Sequence, residues 1–270
     1  MKKRKIQHDR VDFCSAARRK IISMLQEERH NLIVQQINAH NRVVASDLCQ
    51  QLNVSLDTVR RDIKELEKKG KVIKVHGGAI SPNFHQPFQQ QEVYGRSEKR
   101  EIAKKALTLI KDGMTLLTGG GTVMLELARI LPERLNGTIF TVSPFVALEA
   151  AQRSSVEVIL IGGRVARNSY ICTGASVANE IATVRADLCL LGTNGLSVDE
   201  GITDYDWEVA QVKKAILNAA EKSALLSISE KLGTVQKVQV CKLTSIDYLI
   251  TECHPNDEKL ERYGSFCKVL

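Results

Sequence analysis

No stretch of this 270-residue chain approaches the roughly 18–20 consecutive apolar residues that cross a bilayer, and its amino terminus lacks the apolar core of a secretion signal. Both absences point to a cytoplasmic protein. Proline is scarce at 5 residues and aromatics make up only 4%, yet hydrophobic residues reach 43% against 26% charged. That balance excludes a mainly disordered, collagenous or coiled-coil chain and leaves a globular one of one or two domains. The seven cysteines (Cys14, Cys49, Cys172, Cys189, Cys241, Cys253, Cys267) include no C-x-x-C pair, which argues against both a disulfide framework and a zinc ribbon. No His/Cys/Asp/Glu set has ligand spacing either, so neither a metal nor a cofactor is expected.

What the chain does have is an excess of positive charge, +7 in total, and it is unevenly placed. Residues 1–23 hold eight basic and two acidic side chains, residues 24–80 hold nine and seven, and residues 81–270 hold 21 and 22. A basic balance invites a nucleic-acid partner, but a total does not locate the surface. Composition divides the chain in the same places. A basic extension (1–23) precedes short charged helices (24–80), a polar segment 81–97 with two prolines and a glutamine run reads as a linker, and the remainder (98–270) alternates helices with short apolar strands. Such alternation predicts an α/β domain with a mostly parallel, Rossmann-like sheet.

Three helices are predicted in residues 24–80: Glu27 to His40, a second starting near Ser46 as its cap, and a third capped by Ser55 and ended by Gly70. On the third, Leu56, Val59, Ile63 and Leu66 fall on one arc, while Asp57, Arg60, Arg61, Lys64 and Lys68 occupy the other. The Asn53-Val54 connection is short enough to cross helices two and three as a helix-turn-helix, and Lys71 to Gly78 reads as a β-ribbon wing. A basic helix face of this width fits the major groove, where arginines can fork onto guanine or phosphate. The candidate DNA-binding residues are Ser55, Thr58, Arg60, Arg61 and Lys64 on the helix and His76 on the wing. Double-stranded operator DNA is the expected partner.

The spacing Arg29-x-x-x-Ile33-x-x-x-Ile37, then Ser55-x-x-Thr58-Val59-Arg60-Arg61-Asp62-Ile63, Gly70 and Val75-His76-Gly77-Gly78 resembles the DeoR family of bacterial transcriptional regulators. The resemblance implies a winged helix-turn-helix reading DNA through Thr58, Arg60 and Arg61, and it extends to about Glu252. Family members commonly begin near a stretch matching Met24-Leu-Gln-Glu-Glu-Arg29. Residues 1–23 therefore read either as a basic arm adding phosphate contacts or as sequence ahead of a start at Met24, the second being favoured.

In the α/β region, Thr118-Gly-Gly-Gly-Thr122 lies between a strand and a helix, where glycine and a helix N-terminus suit an anion; it also suits a plain turn. Thr141-Val-Ser143, Gly162-Gly163, Gly192-Thr-Asn-Gly195 and Ser229 to Gly233 all follow apolar strands, so the five loops are predicted to line one crevice. Lys231 reads either as a phosphate or carboxylate partner or as a solvated strand-end lysine, and Trp207 is expected to anchor its helix in the core. The family resemblance implies a fold shared with ribose-5-phosphate isomerase and glucosamine-6-phosphate deaminase, sensing a phosphorylated sugar or related metabolite in a homo-oligomer. It carries Gly121-Thr122, Gly162-Gly163, Gly192, Gly195, Gly201-Ile-Thr203, Glu208 and Lys231 into the family pattern. The candidate effector residues are Gly120, Gly121, Thr122, Thr141, Ser143, Gly163, Gly192, Asn194, Gly195, Glu208 and Lys231. Three departures stand out: Gly119-Gly-Gly-Thr-Val123 replaces Asp-Ser-Gly-Thr-Thr, Val142 replaces an asparagine, and Ile228 replaces an aspartate.

Two functions remain open at this level. One is a repressor of a carbohydrate-utilisation operon, with no catalytic residues; the other is a sugar-phosphate isomerase or deaminase carrying an accessory DNA-binding domain. Enediolate chemistry needs a carboxylate base; the resemblance implies that the related isomerases' acidic Asp-Gly-Ala-Asp loop corresponds to Gly192-Thr-Asn-Gly195, which has none, while Glu208 and Asp204 remain as candidates. The regulator is the expectation.

Overall fold

The computed structural model describes residues 24–40, 42–81, 95–167 and 169–270. The predicted extension 1–23 and most of the predicted linker lie outside these.

In the amino-terminal unit, α1 (Gln26–His40) leads into β1 (Arg42–Val44), α2 (Ala45–Leu52), α3 (Leu56–Lys68) and the ribbon β2 (Ile73–Val75) and β3 (Gly78–Ile80). The three strands form one antiparallel sheet with β3 in the centre. Ile33, Ile37, Leu48, Leu52, Val59, Ile63 and Leu66 make its core, each worth roughly 1.5–3 kcal/mol when fully buried. Leu56 departs from the predicted arc: as the first helical residue it projects beyond the core and is 40% exposed. Ser46 is not the cap of α2, which starts a residue earlier behind Val44 without a side-chain cap. Asp62 is buried in this core, and the Arg29 guanidinium grips both its oxygens at 2.9 and 3.2 Å while His30 Nε2 lies at 3.2 Å. A Cβ on Gly78 would lie 2.0 Å from the Val43 carbonyl, so glycine there permits β1 to close on β3.

The second unit runs α4 (Arg96–Leu107), β4 (Met114–Thr118), α5 (Thr122–Arg129), β5 (Gly137–Thr141), α6 (Pro144–Arg153), β6 (Glu157–Leu160), the hairpin β7 (Arg164–Val165) and β8 (Cys172–Thr173), α7 (Ala175–Ile181) and β9 (Ala186–Gly192). It continues through β10 (Gly195–Ser197), β11 (Gly201–Asp204), α8 (Trp207–Asn218), β12 (Ala220–Leu226), β13 (Val238–Cys241), β14 (Tyr248–Ile250) and β15 (Lys268–Val269). Helix α4 starts inside the predicted linker because Gly95, at φ +60°, opens it and Arg96 and Arg100 fasten its first turns to buried Glu126 of α5.

Seven parallel strands form the main sheet in the order β15-β14-β12-β9-β4-β5-β6. Central β9 is almost wholly buried and serves two cores. Leu188 and Leu190 meet α4, α5 and α6 on one face, while Cys189 and Leu191 meet α7 and α8 on the other. Burial pushes the Cys189 thiol up to about 12 and the Cys241 thiol to about 11, which makes both inert packing groups at neutral pH. A smaller antiparallel sheet, β10-β11-β13, lies after β9. From β4 the chain winds outward through β5 and β6, then returns to β9 on the other side of β4 and winds outward again through β12, β14 and β15. The order reverses between β4 and β9, the place where open α/β sheets as a class bind ligands.

Candidate DNA interface and effector crevice

The turn Asn53-Val54 brings α2 and α3 across each other, Asn53 taking the left-handed conformation at φ 51°. The Ser55 hydroxyl accepts from the Thr58 N–H at 3.2 Å and lies 2.9 Å from the Thr58 hydroxyl, so both side chains secure the first turn of α3. Val59, Asp62, Ile63 and Leu66 face inward, leaving Arg60, Arg61 and Lys64 exposed on one outward face, with the exposed His76 on the β2–β3 turn. Arg60 touches only Asp57 of its own helix, at 3.6 Å, a surface pair of small value that leaves its fork available.

At the carboxyl edge of the main sheet, the loops after β12, β9, β4, β5 and β6 follow one another in strand order. They carry Lys231, Gly192 to Gly195, Gly120 to Thr122, Thr141 with Ser143, and Gly163. The loops at the switch point touch: Gly119 N–H donates to the Leu190 carbonyl at 3.0 Å. Their glycines serve different ends. A Cβ on Gly120 would lie 2.3 Å from Ile171, and Gly163 and Gly195 likewise meet Val177 and Thr203, so packing accounts for all three. Gly121 differs, combining φ +104° with open space at the start of α5. Thr141 and Ser143 are buried and bonded locally: Thr141 Oγ1 accepts from Ser143 N–H, and Ser143 Oγ from Val146 N–H.

A buried polar cluster beside the loop after β9 centres on Asp204. Lys213 Nζ donates to it at 2.7 Å and the Asn194 amide to both its oxygens at 3.2 Å. Burial pushes this carboxyl up, but Lys213 and the hydrogen bonds from Lys213, Asp206 N–H and Asn194 outweigh it and hold the group below its ordinary range. Lys231, on the one-turn helix Ser229–Lys231, is half-buried and donates to the Thr193 carbonyl at 2.6 Å. Burial first, then the charges of Lys99 and Lys213, bring it down to about 7, against weaker support from Asp204 and Glu230. Lys99, buried on α4, falls to about 8 through burial. The charges of Lys99 and Lys213 thus both act on Lys231, although Lys213 is itself paired with Asp204. Glu208 stands apart from them, held by Arg164 and by Thr173 at 3.2 Å. Trp207, expected in the core, is 65% exposed because it occupies the first position of α8 ahead of the buried face that starts at Val209.

Residues 29–84 match the DeoR-like helix-turn-helix domain and residues 95–253 the DeoR C-terminal sensor domain. The chain belongs to the DeoR family. Similar DeoR-family proteins include the HTH-type transcriptional regulator GolR of Listeria innocua, 32% identical over 85% of this chain and 91% of that one. The HTH-type transcriptional repressor GlcR of Bacillus subtilis is 32% identical over 92% and 93%, and the glycerol-3-phosphate regulon repressor of Escherichia coli 27% over 86% and 93%. Among solved structures, a D-ribose-5-phosphate isomerase in complex with phospho-erythronic acid covers 50% of this chain and 52% of its own at 16% identity and a TM-score of 0.38. The chain is a DNA-binding transcriptional regulator, and its relatives are regulators rather than enzymes. The carboxylates that kept an enzyme in view are both engaged: Asp204 is buried in an ion pair and Glu208 is tied to Arg164. Among the described residues, no His/Cys/Asp/Glu group could hold a metal ion and no helix is long and apolar enough to cross a membrane.

Sequence reasoning missed His40, Lys99 and Lys213. His40, the last residue of α1, is 6% exposed and reaches the carbonyl of Asn194 at 2.8 Å, across 154 positions of sequence. No local pattern marks a contact of that separation.

Proposed function

We propose that this regulator is a repressor of a carbohydrate-utilisation operon in the cytoplasm, released or engaged by a phosphorylated sugar or related metabolite. Residues 24–80 read the operator through Ser55, Thr58, Arg60, Arg61, Lys64 and His76. The segment ending at Gly95 connects this unit to the sensor, and a symmetric oligomer presents two recognition helices to paired half-sites. The effector enters the crevice at the switch point, its anionic group approaching Gly121 and Thr122 at the start of α5 and Lys231 across the β4–β9 loops.

The observation that carries this reading is the Lys231 ammonium, kept half-buried among Lys99 and Lys213 with only a backbone carbonyl as its hydrogen-bond acceptor. A dianion supplies the compensation that this lysine lacks. The relative named as a glycerol-3-phosphate regulon repressor supports the ligand class. A thermal-shift screen with phosphorylated sugars and polyols tests it, since a ligand at about 100 times its Kd adds about 2.7 kcal/mol of stability. The hit should lose its effect in Lys231→Ala and in Gly121→Leu, where a branched side chain at positive φ blocks the turn. A response retained in both variants would place the effector elsewhere.

A further inference from the structure

The carboxyl terminus of α1 is packed against the sensor, and the groups that meet there belong to the crevice. Buried residues on α1 recur at His30, Ile33, Ile37 and His40, so His40 continues the face that forms the winged helix's own core. Instead of ending in that core, the face runs onto the sensor beside the one-turn helix that carries Lys231. The acceptor of the His40 bond is a carbonyl, so Nδ1 carries the hydrogen. Burial, then the charge of Lys231, lowers the imidazole to about 4, and the ring is neutral in this setting.

The carbonyls of adjacent residues Thr193 and Asn194 are taken by side chains from the two units. Lys231 Nζ holds the first at 2.6 Å and His40 Nδ1 the second at 2.8 Å. The same Asn194 carbonyl receives the Gln236 amide at 3.5 Å, and the Asn194 side chain is tied to Asp204. An anion that draws Lys231 off Thr193 therefore acts on the peptide unit next to the one that receives His40.

We infer that His40 is an interdomain latch: its hydrogen bond to Asn194 holds the winged helix on the sensor, and an anion taken up at Lys231 releases it. The inference rests on the crevice reading above, and it makes His40 a positioning residue that contacts neither DNA bases nor effector. Docking fixes where α3 sits relative to the sensor, and in a symmetric oligomer it fixes the spacing of the two recognition helices. Release broadens that spacing and lowers operator affinity without altering α3.

The test uses the full chain with one fluorophore at exposed Lys71 beside the wing and a second at exposed Glu221 on the sensor, introduced through non-natural residues. Energy transfer reads docking directly. His40→Ala and His40→Leu should lower transfer without any ligand, whereas His40→Asn, whose amide nitrogen falls near the Nδ1 position, should keep it. A merely space-filling residue would be replaced better by Leu than by Asn. Inorganic phosphate at millimolar concentration, with ionic strength held constant by chloride, should shift the wild type towards the released state by roughly 5- to 150-fold in the docking equilibrium. Phosphate should not move His40→Leu further. Wild-type transfer in both His40→Ala and His40→Leu overturns the latch, as does phosphate that binds by calorimetry and leaves wild-type docking unchanged. Absence of any phosphate heat would instead count against the anion reading of the crevice, and loss of transfer in Leu with retention in Asn would still support the latch.

Discussion

Burying an ammonium beside two others costs free energy that an apolar side chain of similar length would not, and Lys231 occupies such a position. Its folded-state value of about 7 lies below the ordinary 10.5, so the folded protein disfavours the charged form. The cost is fully present below about pH 7 and fades as pH rises through 7 to 10.5, where the unfolded chain also loses the proton. Lys231→Met should therefore stabilise the ligand-free protein at neutral pH by about 1–3 kcal/mol, after discounting for partial exposure, with the gain vanishing near pH 10.5. Calorimetric unfolding across this range checks it, and a lower midpoint in the variant would mean that the Thr193 contact outweighs burial. Asp62 presents the opposite case, a buried charge that is fully partnered. Asp62→Ala leaves Arg29 and His30 facing a void and should cost about 3 kcal/mol, read as early melting of the amino-terminal unit in a thermal scan.

At the scale of single elements, α3 concentrates the DNA-binding reading on one exposed strip. Arg60→Ala and Arg61→Ala should each abolish a specific footprint on the operator while the sensor keeps its circular dichroism and unfolding midpoint. Normal footprints in both would move recognition off this helix. Ser55→Ala removes the cap and should cost about 1 kcal/mol in the same scan. Helices of this kind are legible because a cap, a 3.6-residue apolar period and a closing glycine agree, as they do from Ser55 to Gly70. Central strands such as β4 and β9 are legible as short apolar runs. The strand β1 is not, since three residues between two helices carry no period and become a strand only by pairing with β3. The same holds for β10, β11 and β13, whose order comes from one another. Helix α6 follows Ser143, read in the sequence as part of the ligand loop Thr141-Val-Ser143 although its side chain caps the helix. Three of the predicted effector glycines have a packing role for a related reason: a glycine needed because Ile171, Val177 or Thr203 comes close looks the same in sequence as one needed by a ligand.

At the scale of the whole molecule, the five crevice loops were legible because a parallel sheet must place every strand's carboxyl end on one edge. How the winged helix meets that edge was not, because His40 and Asn194 are joined only by tertiary packing. That contact makes the coupling between DNA and effector a matter of equilibrium rather than of a wire through the protein. If phosphate at Lys231 weakens docking, and docking sets the spacing that the operator selects, then operator DNA must weaken phosphate binding by the same factor, because both sites bias one docking equilibrium. Titrating phosphate calorimetrically into the free protein and into its operator complex measures the factor from the sensor side, and footprinting with and without phosphate measures it from the DNA side. The two should agree, at roughly 5- to 150-fold, and should fall together towards unity in His40→Leu. Equal phosphate affinities in the free protein and the complex, beside a footprint that phosphate removes, would break this reciprocity for a single latch and require that phosphate act on the DNA-binding surface itself.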